Sequence, residues 1–199
     1  MIRLYTGAHC IHSHRVRLAL AEKGVEAERV LVDPDQPPAQ LLEHNPYGDV
    51  PTLVDRDIAL YEPSIVIEYL DERYPHPPLM PVDPINRAKA RLVAYRMQRD
   101  WYALYEQIET GGRNRAQSAR RALRESLTAA AELFEGQTYF LSDELTVMDV
   151  MVLPLLWRLP AVGVELPEAA AAIRDYAEQQ FATDAFQASL TAEERLLRA

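Results

Sequence analysis

The chain has 199 residues, 48% apolar and 26% charged, enough for one large domain or two small ones with cores of their own. Its single cysteine, Cys10, excludes an intramolecular disulfide framework. No apolar run approaches the roughly 20 residues of a membrane span, and a formal net charge of −9 presents the wrong field to a phosphate backbone, so neither membrane nor direct nucleic-acid binding is expected.

The first residues, Ile2-Arg3-Leu4-Tyr5, read as a strand with no signal-peptide order before it, which predicts a cytoplasmic protein. Ser13 is a candidate cap for a helix through Val16, Ala19 and Leu20 that stops at Gly24. Arg29–Val32 reads as a second strand, Ala39–Glu43 as a short helix, and Asn45-Pro46-Tyr47-Gly48 as a turn. Pro51–Val54 and Ile58–Tyr61 form a predicted hairpin. Pro63 suits the first position of the helix that follows, where its missing N–H costs nothing. The order βαβ, α, ββα mixes a parallel crossover with an antiparallel hairpin and predicts a thioredoxin-like domain over residues 1–77. In such domains the proline after Val50 sits where a cis X–Pro bond is held, although the sequence does not show the isomer.

Residues 75–84 contain five prolines in ten positions, which no helix or central strand sustains, so this stretch is the predicted linker. Beyond it, residues 83–199 read as an all-helical domain. A long helix is predicted from about Pro84 to Glu109, with Leu92, Tyr95, Trp101, Leu104 and Ile108 as candidate core residues, ended by Gly111-Gly112. A second helix covers about 114–134. Thr146 with Asp149 has the spacing of a capping box for the apolar helix 150–157, and two or three more helices fill 168–198.

Several phrases are similar to known proteins. Ser13 to Gly24, Val50 to Asp55, and Glu62 with Ile65 to Leu70 resemble the first helix, cis-proline strand and third helix of glutathione transferases. Tyr69 to Pro81, Asp100-Trp101-Tyr102, Tyr139 to Glu144, Leu155 to Pro160 and Ala188 to Thr191 resemble one subgroup, the bacterial stringent starvation protein A family. That resemblance implies a thioredoxin-like domain followed by a helical transferase-type domain. It also implies a dimer that associates with RNA polymerase and its sigma factor in the starvation response and does not conjugate glutathione. Fold alone does not decide function.

The residues bear on that choice in two places. A transferase needs a hydroxyl or thiol at the first strand–helix turn, backbone groups beside the cis-proline, and a Glu-Ser pair at the third helix. Cys10 occupies the turn, near a helix N-terminus and His12, surroundings of the kind that make a thiol reactive. With Val50, Pro51, Glu62 and Ser64 it forms the candidate glutathione site of the alternative reading, a cysteine-type thiol transferase. Pro63, however, separates Glu62 from Ser64 and offers neither hydroxyl nor N–H. His9, Cys10, His12 and His14 lack the second ligand pair from another segment that a structural metal site draws on, so no metal is expected.

The second place is the linker. Tyr74, Pro75, His76, Pro77 and Pro78 are the candidate partner-binding residues, because prolines display an imidazole with little freedom left to lose on binding. Trp101, Tyr102 and Tyr105 fit either a core or a dimer surface. Residues 87–124 carry ten Lys/Arg against three acids, whereas residues 1–80 carry thirteen acids against seven bases. That opposition suits an isologous homodimer.

Overall fold

Four short strands form one sheet in the computed structural model, which describes residues 1–198. The chain divides into two compact units: Met1–Pro78 with Asp184–Leu197, and Leu79–Thr183 with Arg198. In the first, β1 (Ile2–Thr6), α1 (Ile11–Glu22), β2 (Ala27–Leu31), α2 (Ala39–His44), β3 (Thr52–Asp55), β4 (Ile58–Leu60) and α3 (Pro63–Arg73) follow in order. The sheet order is β2-β1-β3-β4. The α1 crossover makes β1 and β2 parallel, and the hairpin makes β3 and β4 antiparallel, with Leu4 opposite Leu53 in the centre. The thioredoxin-like expectation is met. Val50–Pro51 is cis, and so is His76–Pro77.

Helix α1 starts earlier than expected. Cys10, not Ser13, is its N-cap, and Ser13 lies inside the helix with its hydroxyl accepting the Gly7 N–H at 3.1 Å. Nearly every residue from Ile11 to Leu20 is buried. With no solvated face, the polar ones among them must find partners inside.

The second unit is helical. The predicted long helix is realised as α4 (Pro84–Met97), a π turn (Gln98–Tyr102) and α5 (Ala103–Thr110). Gly111 ends it, since a Cβ there would lie 2.3 Å from the Gln107 carbonyl oxygen. Trp101 and Ile108 are core residues as expected and Leu104 is half-buried, but Leu92 and Tyr95 are 60% and 57% exposed. The buried stripe runs Ala90, Met97, Trp101, Tyr105, Ile108. Leu92 stands nine residues before Trp101, about two and a half turns, and therefore faces the other way.

Helix α6 (Arg113–Ala129) is followed by a 3₁₀ turn, then α7 (Val147–Arg158) and α8 (Ala171–Phe181). Wholly buried and apolar apart from Asp149 and Arg158, α7 is the centre of its unit. The expected capping box is present at Thr146 and Asp149. Asp149 also accepts from the Phe140 N–H at 2.7 Å and the Tyr176 hydroxyl at 2.7 Å. Burial raises the Tyr176 pKa well above its ordinary value, so that hydroxyl keeps its proton and remains a donor. Trp101, Tyr102 and Tyr105 are all buried, and the Tyr102 hydroxyl donates to the Met151 carbonyl at 2.6 Å. They belong to the core.

The last helices, α9 (Asp184–Ser189) and α10 (Ala192–Leu196), join the first unit, so the expected helical domain over 83–199 is shorter at its end. Phe186 on α9 is buried against the His14 ring of α1, and a charge pair joins α10 to the same helix. Arg17 on α1 and Glu194 on α10 are both 0% exposed and 2.6 Å apart. Arg17 also donates to the Ser189 carbonyl at 2.7 Å and the Thr6 hydroxyl at 2.6 Å. The buried guanidinium is thereby compensated by a carboxylate more than 170 residues away in sequence.

Candidate functional site

The strand–helix turn that ends in Cys10 is built from both ends of the chain. Thr191 donates its hydroxyl to the Ala8 carbonyl at 2.7 Å, and Arg17 donates to the Gly7 carbonyl at 3.3 Å. Cys10 is half-buried. Its Sγ accepts the Ser13 N–H at 3.4 Å and lies 3.7 Å from the Val50 carbonyl, to which the thiol donates. Cys10 and the cis-proline strand at Val50 and Pro51 are thus brought together. His12 is in contact with Arg15, at 3.3 Å. His14 is fully buried, with Nε2 2.9 Å from the Ser189 hydroxyl and its ring against Phe186.

Glu62 and Ser64 meet each other. Glu62 is the N-cap of α3, and its carboxylate accepts both the Ser64 N–H at 3.2 Å and the Ser64 hydroxyl at 2.9 Å. Pro63, at the first helical position, adds no N–H. The two donors that Ser64 would offer an anionic ligand end are therefore held by the chain's own carboxylate.

The linker segment follows α3. Tyr74 is half-buried, with the Arg73 guanidinium 5.6 Å from its ring centroid, while Pro75, His76, Pro77 and Pro78 are exposed. Behind them, Lys23, the residue that closes α1, has a fully buried side chain. Its ammonium lies 2.5 Å from Asp71 on α3 and donates to the Pro77 carbonyl oxygen. The Pro-His-Pro run is held from the back and open at the front. Sequence reasoning did not single out Lys23 or Asp71, although Asp71 lies in the family-like phrase Tyr69 to Pro81 and Lys23 directly precedes Gly24, which takes φ +61° at the helix end. A lysine beside a helix stop reads as solvated until a partner is known.

Among the described residues no cluster of three His, Cys, Asp or Glu side chains is arranged to hold a metal ion. No helix among them is long and apolar enough to cross a membrane.

Comparison with known proteins places this geometry. The glutathione S-transferase N-terminal domain family matches residues 9–73 and the C-terminal domain family residues 87–184. A stringent starvation protein A homolog of Coxiella burnetii is 44% identical over 199 residues, covering 100% of this chain and 95% of that protein. One from Pasteurella multocida is 44% identical, covering 96% and 90%. Glutathione S-transferase omega-2 of Mus musculus is 31% identical over 82% of this chain and 68% of its own. Among solved structures, rice GST1 in complex with glutathione superposes with a TM-score of 0.86 at 23% identity, covering 98% of this chain and 94% of that one. Glutathione transferase Omega 3C from Trametes versicolor gives 0.84 at 24%, covering 96% and 84%. These two likenesses establish the fold. With full-length relatives at 44% identity and both transferase domain families matched, the chain belongs to the stringent starvation protein A family within the glutathione-transferase superfamily.

Proposed function

We propose that the protein is a non-catalytic transcription regulator of the starvation response, acting in the cytoplasm by binding RNA polymerase or its sigma factor through Tyr74, Pro75, His76, Pro77 and Pro78. The observation that carries this is the exposed His76 between Pro75 and Pro77, with the Pro77 carbonyl held by the Lys23 ammonium. A segment fixed before binding loses little conformational freedom when a partner seats on it. The partner surface is protein, since the chain's net charge of −9 repels a phosphate backbone.

The transferase machinery is present in position and closed in chemistry. Cys10 stands at the turn, but Glu62 already occupies the donors of Ser64. The second reading, a cysteine-type glutathione-dependent thiol transferase, rests on Cys10 lying at the α1 N-cap beside the Val50 carbonyl. Turnover that disappears in Cys10→Ala would establish it.

Self-association belongs to the same reading. Ile85, Ala88, Leu92 and Tyr95 form one exposed apolar stripe along α4, at helical spacing of three and four. Lys89, Arg96 and Arg99 border it. An apolar strip with a basic margin suits a second copy whose residues 1–80 are acidic. Purified polymerase holoenzyme captured on the full-length protein tests the function, and sedimentation at micromolar concentration tests the dimer. Failure of capture at low salt would overturn the first, and a monomer the second.

A further inference from the structure

Among the buried charges of the first unit that lie outside the transferase chemistry are Arg17, Glu194, Lys23 and Asp71. The Arg17–Glu194 pair joins the last helices to α1 and has an evident structural use. Lys23 is different. Its side chain reaches from the end of α1 to Asp71 near the end of α3, and a further donor goes to the backbone of the linker segment at Pro77. An ammonium has three donors and no acceptor, so it can serve a carboxylate and a carbonyl at once.

We infer that Lys23 and Asp71 are positioning residues for partner recognition: the buried pair fixes the Pro77 carbonyl and thereby the direction in which His76 is presented. This rests on the reading of residues 74–78 as the partner-binding segment. Pro75, Pro77 and Pro78 have no N–H to tie the run into a ladder or helix. The residues around the pair also limit the alternatives. Burying an ion pair is not an efficient source of stability, because a well-matched apolar pair often does as well. Asp71 holds the ammonium in place, and the ammonium holds the segment. Tyr74, whose N–H donates to the Leu70 carbonyl at 2.9 Å, ends α3. Between Tyr74 and Pro78 the Lys23 bond reaches the exposed run at Pro77, and Leu79 and Met80 directly after it are buried.

The test separates positioning from stability. In the full-length K23M/D71L variant both charges leave together, so no unpaired charge is buried. The variant is expected to keep its urea midpoint within the error of the wild type and to lose order at His76. The backbone amide order parameter of His76, measured by NMR relaxation, should fall from the rigid range near 0.85 to below about 0.6. Capture of RNA polymerase holoenzyme should weaken by about tenfold, as expected for a segment that must be ordered on binding. An order parameter that stays near 0.85 in the variant overturns the inference, whatever happens to capture. So does a wild-type His76 amide already below about 0.6, a result that needs no variant to fold. If the Pro75, His76 and Pro77 triple alanine variant captures polymerase normally, the functional reading fails while the order parameter still judges the clamp.

Discussion

The turn at Cys10 and the linker at His76 lie in the same structural unit and treat their polar groups in opposite ways. At the turn and the start of α3, donors and acceptors close on one another: Glu62 on Ser64, Thr191 on Ala8, Cys10 between Ser13 and Val50. At the linker a buried ammonium holds the Pro77 carbonyl, and Pro75 to Pro78 are exposed. A fold that elsewhere holds a small peptide-like ligand can thus keep its frame while its ligand groups turn inward. Under the proposed function, partner binding uses a surface that the frame supports. Function follows the free groups.

The largest expected effect tests how far the turn is committed to structure. Arg17→Met leaves the buried Glu194 carboxylate without its cation and should cost about 3–5 kcal/mol in urea unfolding. R17M/E194L should recover most of it. If the single variant is nearly neutral, the turn is not locked by the C-terminal helices, and its closed character is in doubt. In the second unit, Asp149→Ala strands the Phe140 N–H, the Thr146 N–H and the Tyr176 hydroxyl in the interior. A loss of about 3 kcal/mol is expected, with RNA polymerase capture unchanged under conditions where the variant is folded. That outcome sharpens the comparison by showing that stability and recognition use different residues.

A smaller effect is expected at the self-capped helix. Glu62→Ala removes the cap of α3 and should cost about 1 kcal/mol. The wild type should turn over a standard electrophile with glutathione well below about 1 s⁻¹, the low end of ordinary enzyme rates. A rate above that, abolished by Cys10→Ala, would reverse the roles of the two regions.

Much of the frame was legible because local signals and tertiary outcome agree. Pro63 opens α3, Gly111 stops α5, and Thr146 with Asp149 caps α7, each for a reason confined to a few neighbouring residues. The misses share a different cause. Ser13 looks like a cap because serine often is one, but Cys10 takes that place once its sulfur meets the Ser13 N–H. Leu92 and Tyr95 look like core residues because they are apolar, yet phase along α4 puts them outside. Helices α9 and α10 meet α1 through Phe186 on His14 and Glu194 on Arg17, and Lys23 meets the linker at Pro77. Such long-range pairings leave no periodic trace.

Capture of RNA polymerase holoenzyme by the variant carrying Pro75→Ala, His76→Ala and Pro77→Ala bears most directly on the central claim. The change removes an imidazole and frees three residues, each at about 1–2 kcal/mol of backbone entropy on binding. Association should be abolished while circular dichroism and sedimentation match the wild type, and His76→Ala alone should weaken it less. Undiminished capture by a normally folded triple variant would contradict the account and leave the linker as a joint between the two units.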